Sequence, residues 1–286
     1  MGNSAPKVAT RTRPRAMIPD QFSCFEELTQ ALRDAGVEKT QLVVGVDFTQ
    51  SNLKTGQRSF NGKCLHDVSD PSCPNPYMQA LSIIAKALWD FDDDHLIPVY
   101  GFGDFTTRGE SVFSFADNDR PCKGLVQCEQ RYKDIARTVK LYGPTSFAPV
   151  IRQAINLVRE TQEYHILLIV ADGQVSKAMM PATVKAIVEA SSYAMSIVMV
   201  GVGDGPWGVM EQFDDDLPQR VFDNFQFVDF NTVFNRYPKE RREAAFATHA
   251  LMELPEQYNA VKALQLLDSD RKMPSFVPPN PPLNPP

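Results

Sequence analysis

The sequence predicts an α/β protein built on one doubly wound, mostly parallel sheet with helices on both of its faces. Three observations support this fold class. Apolar runs of strand length alternate with longer segments of helical periodicity, which is the order that produces parallel sheets. The runs are apolar at consecutive positions, as expected of strands that are buried on both faces. The chain has 286 residues, enough for one domain with a sizeable core.

The predicted elements follow one another in a regular order. The first helix has apolar residues at helical spacing from Phe22 to Ala35, and Gly36 ends it. A continuous apolar run from Gln41 to Asp47 predicts the first strand. Further strands are predicted at 96–102, 164–171, 195–202 and 225–230, and residues 112–115 could add a short antiparallel edge strand. Helices are predicted between these strands at about 77–89, 125–139, 147–161, 181–191 and 231–253.

Two tails flank the predicted domain, which spans residues 21–268. Residues 1–20 form a basic leader with three prolines, and we expect this leader to be unstructured. Residues 269–286 are rich in proline, which predicts an extended polyproline II tail. The P-x-x-P spacing in this tail makes it a candidate ligand for an SH3 or WW domain.

The composition excludes several classes of protein. Twenty-nine basic and 35 acidic side chains give a net charge of −6, which argues against a nucleic-acid partner. No apolar run has the length of a membrane span or of a secretory signal core, so a cytoplasmic location is expected, with membrane association or the nucleus left open. The five cysteines contain no C-x-x-C pair, and the four histidines are far apart, which argues against a zinc finger or a RING domain.

Polar, oxygen-rich segments follow the predicted strands. They begin at Asp47, at Gly101, at Asp172 and at Gly203. The carboxyl ends of parallel strands lie at one edge of a sheet, and ligands of doubly wound proteins bind there. The sequence therefore predicts a ligand site at this edge.

The first of these segments has the spacing of a metal site. Asp47-x-Thr49-x-Ser51 places a carboxylate and two hydroxyls on alternate residues of one loop. Oxygen-only ligation suits a hard cation, Mg²⁺ or Mn²⁺, better than zinc or copper. Thr145 and Asp172 offer two more oxygen donors on other strand ends. The alternative is that the first three residues only cap the turn after the strand.

Asp104 and Asp204 each follow a Gly-x-Gly sequence at a strand end. Glycine suits a tight turn there, and an aspartate can accept hydrogen bonds from the amides of such a turn. The alternative is that both aspartates support the metal ligands from a second layer.

Several sequence strings carry a family resemblance. The Asp47-x-Thr49-x-Ser51 pattern, with a later threonine and a later Asp-Gly, resembles the metal-ion-dependent adhesion site of von Willebrand factor A domains. Longer strings resemble the A domain of copines and of the copine-like RING-domain ubiquitin ligases of plants. These strings are VDFTQSN at 46–52, GFGD at 101–104, GPTSFAP at 143–149, GVGDGPW at 201–207, FDDD at 213–216 and FDNFQFV at 222–228. The resemblance covers roughly residues 22–260.

The resemblance implies a protein-interaction module whose metal site consists of Asp47, Thr49, Ser51, Thr145 and Asp172. An exposed acidic residue of a partner protein would complete the coordination of Mg²⁺ or Mn²⁺. Copines carry two C2 domains ahead of the A domain, and the plant ligases end in a RING; this sequence shows neither. Calcium-triggered membrane docking and direct ubiquitin transfer are therefore not expected from the resemblance.

Two alternative functions remain open at the level of sequence. The ligase relatives suggest a component of ubiquitin transfer that presents substrates to a separate ligase. The start Met-Gly-Asn-Ser suggests N-myristoylation of Gly2, although Pro6 stands where serine or threonine is usual. A lipid together with the basic leader would make the chain a peripheral membrane adaptor.

An enzymatic function is not predicted. No G-x-S-x-G sequence occurs, and no histidine or Cys–His pair stands near the strand-end loops. The G-x-G-x-x-G sequence at 203–208 contains Pro206 and Trp207 where a dinucleotide site needs small residues, so nucleotide binding is not favoured.

Overall fold

The apolar runs form one six-stranded sheet, as the sequence predicts. The computed structural model describes residues 22, 24–215, 217 and 220–267. The strands in this part of the chain are β1 (Gln41–Asp47), β2 (Leu96–Ile97), β3 (Val99–Phe102), β4 (Phe113–Ser114), β5 (Cys122–Lys123), β6 (His165–Ala171), β7 (Met195–Gly201) and β8 (Phe225–Asp229). The strand order is β4-β3-β1-β6-β7-β8, with β4 antiparallel at the edge and the others parallel.

Helices cover this sheet. They are α1 (Phe25–Asp34), α2 (Pro76–Leu88), α3 (Gly124–Thr138), α4 (Ala148–Thr161), α5 (Met180–Ala190), α6 (Gly208–Asp215), α7 (Phe230–Arg236), α8 (Arg242–Leu251) and α9 (Leu254–Ala263). Helices α2 and α8 pack together, and α4 packs on α5. Because crossovers between parallel strands are right-handed, these two pairs cover opposite faces. Every residue of β1, β6 and β7 is buried, which explains why these strands are apolar at consecutive positions.

Two predicted elements are wrong in extent. The strand predicted at 96–102 is split at Pro98: β2 pairs with β5 in a separate two-stranded sheet, and only β3 joins the main sheet. Proline has no N–H to donate to a continuous ladder. The helix predicted at 231–253 is two helices, α7 and α8, with Pro238 between them. Helices α6 and α9 were not predicted.

Three predictions lie outside the described residues. They are the unstructured leader 1–20, lipidation at Gly2 and the proline-rich tail 269–286. Among the described helices, none has the length and apolar character needed to cross a bilayer.

Candidate metal centre

The candidate site lies where the order of the strands along the chain reverses. Strand β1 lies between β3 and β6 in the sheet. The strand that follows β1 in the main sheet, β3, lies on one side of it, and the later strand β6 lies on the other side. Asp47 is the last residue of β1, and Asp172 directly follows β6. The register pairs Val46 with Val170, so the two strands bring both carboxylates to the same edge of the sheet. This is the position at which doubly wound sheets bind ligands.

The five predicted metal-site residues form one cluster. The Thr49 amide donates to Asp47 Oδ1 at 2.8 Å, and Thr49 Oγ1 lies 2.9 Å from Ser51 Oγ. Ser51 Oγ donates to Asp172 Oδ1 at 2.9 Å, and Thr145 Oγ1 lies 3.5 Å from Thr49 Oγ1. Hydrogen bonds thus link the hydroxyls of Thr145, Thr49 and Ser51 to the Asp172 carboxylate, and the Thr49 amide bonds the carboxylate of Asp47. Ser51 is exposed, whereas the other four residues are buried, so the cluster opens to solvent on the side of Ser51.

A glycine allows the first loop to approach β3. Gly103 has a φ of +78°, which favours glycine. A Cβ at this position would lie 2.4 Å from Thr49 Cγ2 and 3.4 Å from Asp47 Oδ1. Gly103, which directly follows β3, thus leaves room for the loop that carries Thr49.

The electrostatics of the cluster favour a bound cation. Asp47 and Asp172 are both fully buried. Burial and the nearby charge of Asp172 raise the pKa of Asp47 well above its ordinary value, and burial raises the pKa of Asp172 to about 6. Asp47 Oδ2 has no hydrogen-bond partner among the described residues. Two buried carboxylates with one free oxygen are costly to keep ionised, and a divalent cation would offset that cost.

The donor chemistry of the cluster also selects the class of metal. Within the described ranges, no group of three or more histidine, cysteine, aspartate or glutamate side chains is placed to hold a metal ion. The cluster instead offers two carboxylates and three hydroxyls. Such a set of oxygen atoms fits Mg²⁺ or Mn²⁺ rather than zinc or copper.

Thr55 belongs to the cluster, although the sequence did not indicate it. Its hydroxyl donates to Asp172 Oδ2 at 2.5 Å. Thr55 follows a single 3₁₀ turn, Gln50–Leu53, after the Asp47-x-Thr49-x-Ser51 pattern. It lies outside the pattern, so nothing in the sequence distinguishes it from other loop threonines.

Asp204 holds the segment that carries Thr55. The Asp204 amide donates to the Thr55 carbonyl at 2.7 Å, and its carboxylate accepts from the amides of Arg58 and Ser59, each at 2.9 Å. Burial opposes ionisation of this carboxylate, but these amide bonds outweigh it and lower the pKa of Asp204. Asp204 therefore joins the strand end after β7 to the loop beside Asp172.

Asp104 makes the hydrogen bonds of a turn. Its carboxylate accepts from the amides of Thr106 and Thr107, at 3.1 and 3.0 Å, and from both threonine hydroxyls. Among the described residues, no hydrogen bond joins this carboxylate to the five residues of the cluster. Its geometry fits the turn alternative better than the second-layer alternative.

A buried aromatic layer supports the metal loop from behind. The His66 ring stacks between Phe48, with a centroid distance of 4.5 Å, and Tyr77, at 4.2 Å. His66 Nε2 donates to the Asp47 carbonyl at 2.8 Å, and Nδ1 accepts from the Tyr132 hydroxyl at 2.7 Å. A carbonyl can only accept, which assigns the proton to Nε2. Burial lowers the pKa of His66 to about 3, so the ring is neutral.

Asn52 extends the same support. Its Nδ2 donates to the Thr49 carbonyl at 3.0 Å, and its Oδ1 accepts from the Tyr77 hydroxyl at 2.7 Å. His66 and Asn52 thus fix the backbone of the first loop at two carbonyls. The sequence shows both residues but gives no sign that they meet.

The comparisons with known proteins identify the family of the chain. The family model described as Copine matches residues 64–270, a range that begins after the Asp47-x-Thr49-x-Ser51 loop. The chain is 47% identical over 279 residues to the E3 ubiquitin-protein ligase RGLG4 of Arabidopsis thaliana, a match covering 93% of this chain and 69% of that protein. It is 47% identical over 286 residues to RGLG2 of the same plant, covering 96% of this chain and 60% of that protein.

The chain therefore spans only about two thirds of the length of these ligases. A solved structure described as a von Willebrand factor type A from Catenulispora acidiphila is similar in fold, with a TM-score of 0.43 and 10% identity, covering 78% of this chain and 42% of that chain. The family model covers well over half of the sequence, and RGLG4 is similar along most of it. This chain belongs to the copine family.

Proposed function

We propose that this chain is a protein-interaction domain that binds Mg²⁺ or Mn²⁺ through Asp47, Thr49 and Ser51, with Thr145 and Asp172 contributing directly or through water. The observation that carries this proposal is the buried Asp47 carboxylate, whose Oδ2 has no partner among the described residues although a second carboxylate lies near. A copine-family chain with this arrangement is suited to binding proteins rather than to catalysis, because among the described residues no general base lies beside the cluster apart from the ligands themselves.

The metal would leave at least one coordination position to a partner. Mg²⁺ rarely sheds all of its water, and a carboxylate from outside can replace one water molecule. Ser51 is the exposed member of the cluster and marks the side from which a partner's aspartate or glutamate would approach. The role of the protein residues is to hold three hydroxyls and two carboxylates together before the metal arrives.

The direct test is a calorimetric titration of Mg²⁺ and of Mn²⁺ into the purified protein, beside Asp47→Ala. We expect saturable binding of one ion by the wild type and a loss of at least a hundredfold in affinity for the variant, since the variant lacks a charged ligand. A complex with a partner should then be sensitive to a chelator. Equal metal binding by the wild type and the variant, with both folded, would contradict the proposal.

Metal affinity should fall with acid. Burial raises the pKa of Asp172 to about 6, and Asp47 is shifted in the same direction. Because the metal needs ionised carboxylates, its binding must release protons below pH 6. We expect a constant affinity above about pH 7 and a loss of roughly tenfold per pH unit below 6, measured by the same titration in two buffers of different ionisation enthalpy. An affinity that does not change between pH 7 and pH 5 would argue against carboxylate ligands.

The similarity to RGLG4 and RGLG2 favours a second candidate function. Both relatives are described as E3 ubiquitin-protein ligases, so this chain could present substrates for ubiquitin transfer. An autoubiquitination assay with the purified chain, run with and without a separate ligase, distinguishes presentation from transfer. Activity of the chain alone would show that it transfers ubiquitin itself.

A further inference from the structure

A groove begins beside the candidate metal centre. It is a cavity of about 790 Å³, within the size range of ligand-binding pockets. Leu53, two residues after Ser51, lines it, and so does Leu141, the neighbour of Tyr142, whose carbonyl accepts from the Gln50 amide. Val68 and Val139 add apolar surface to the lining. The groove thus continues directly from the loop that carries the metal ligands.

Its apolar surface is open to a partner. Leu53 is 47% exposed, whereas Leu65 in the same loop region is fully buried. Val68, Val139 and Leu141 are half-buried, so four apolar side chains of the lining remain accessible, and a group of this kind is more typical of an interaction surface than one exposed leucine.

The rim of the groove is positively charged, in a chain whose net charge is −6. Three cations, Lys63, Arg137 and Lys140, line it together with a single carboxylate, Asp67. Lys63 lies 3.4 Å from Asp67, and Arg137 lies 3.5 Å from Asp134. Both ion pairs are in contact with solvent, so the attraction between the two charges of each pair is weak.

Of these three cations, Lys140 is the one without an acidic partner among the described residues. Among the described residues, no carboxylate lies within ion-pair distance of its Nζ, which stands 4.1 Å from the centroid of the Phe105 ring. Phe105 in turn packs against Tyr142, whose backbone carbonyl accepts from the Gln50 amide of the metal loop. Lys140 thus lines the groove, and its ammonium group contacts an aromatic ring rather than a carboxylate, which leaves its charge available to a partner.

We propose that this groove binds the chain of the partner next to its metal-bound residue, and that it selects a segment with further acidic residues and an aliphatic side chain. This inference rests on the proposed metal-bridged recognition and states the chemistry of the partner. Charge complementarity identifies the occupant, because an acidic segment matches the cationic rim. Residues 1–20 of this chain are basic and share the sign of the groove, so they do not fit it.

The test measures fluorescence anisotropy of a fluorescein-labelled peptide that repeats Leu-Asp-Glu, with Mg²⁺ present. An identical peptide that repeats Leu-Asn-Gln serves as the uncharged probe. The variants are Lys140→Glu and Leu53→Ser, and the matched control is Lys185→Glu, an exposed lysine on α5, a helix that contributes no residue to the groove. Mg²⁺ affinity is measured on every variant by calorimetry.

We expect the wild type to bind the acidic peptide and not its amide analogue. Lys140→Glu should weaken peptide binding by about tenfold or more without weakening Mg²⁺ binding, because like charges would then face each other in the groove. Leu53→Ser should weaken peptide binding by a few fold, and Lys185→Glu should match the wild type.

The outcomes separate this inference from the proposed function. Peptide binding that needs Mg²⁺ but is unchanged in Lys140→Glu and Leu53→Ser would overturn the groove and leave the metal mechanism in place. Peptide binding that falls in Lys140→Glu but does not respond to a chelator would support the groove and overturn the metal mechanism. Equal binding of both peptides by the wild type would overturn the groove.

Discussion

Replacing Asp172 by asparagine is expected to stabilise the metal-free protein at pH 7 and to abolish its binding of Mg²⁺ or Mn²⁺. Asp172 is fully buried, and burial raises its pKa to about 6. An aspartate with a raised pKa stabilises the fold while it is protonated, below about pH 4, and this contribution is lost as the pH rises through 6. At pH 7 the wild type therefore carries a buried charge that the variant lacks.

The gain in the free energy of unfolding should be about 1–2 kcal/mol. The rise of the Asp172 pKa from its ordinary value to about 6 corresponds to roughly 3 kcal/mol. Part of this is lost because the asparagine amide nitrogen replaces an oxygen that accepts from Ser51 or Thr55, at 2.9 and 2.5 Å. Urea unfolding in the presence of a chelator measures the difference at pH 7, and the difference should shrink towards pH 4.

Asp204→Asn is the matched control for this prediction. Hydrogen bonds from the amides of Arg58 and Ser59 outweigh burial and lower the pKa of Asp204, so the same substitution there should destabilise the protein at pH 7. Added Mg²⁺ should stabilise the wild type but not Asp172→Asn. Destabilisation by Asp172→Asn without metal would show that its charge is already balanced within the protein.

Replacing His66 by alanine is expected to destabilise the protein by about 3–5 kcal/mol. The variant loses the ring packed between Phe48 and Tyr77, and it removes one of the buried hydrogen-bond partners of the Asp47 carbonyl and of the Tyr132 hydroxyl. The lost ring packing and the lost hydrogen bond both affect the backbone of Asp47, a proposed metal ligand, so Mg²⁺ affinity should also fall. Thermal and urea unfolding give the stability, and calorimetry gives the affinity.

His66→Phe separates the two causes, because it keeps a stacked ring and removes only the hydrogen bonds. We expect it to recover part of the stability that alanine loses. Burial lowers the pKa of His66 to about 3 from an ordinary value near 6.5, so the wild type should lose stability as the pH falls from 6.5 towards 3, and the phenylalanine variant should lack this component. Equal stability of the wild type and His66→Ala would refute the supporting role.

Local sequence patterns were sufficient to predict the layers of the fold. Runs such as 41–47 and 165–171 are apolar at consecutive positions because helices cover both sides of the strands, and this constraint is visible in any one strand. The same patterns failed at Pro98 and Pro238, where a proline inside an otherwise continuous segment divided it into two elements. Helix α6 has only eight residues, and the helical periodicity of apolar residues in α9 is weaker than in α1 to α5.

By itself the sequence determined the α/β class and the polar residues at the strand ends, because both depend on neighbours along the chain. Only the tertiary structure decided that Asp47 and Asp172 lie side by side, since the pairing of β1 with β6 is a long-range contact. It also decided that Thr55 and His66 support the site, because their partners are distant in sequence or are backbone atoms. The raised pKa values of the two aspartates arise chiefly from the packing that removes water around them, and packing is a property of the whole fold.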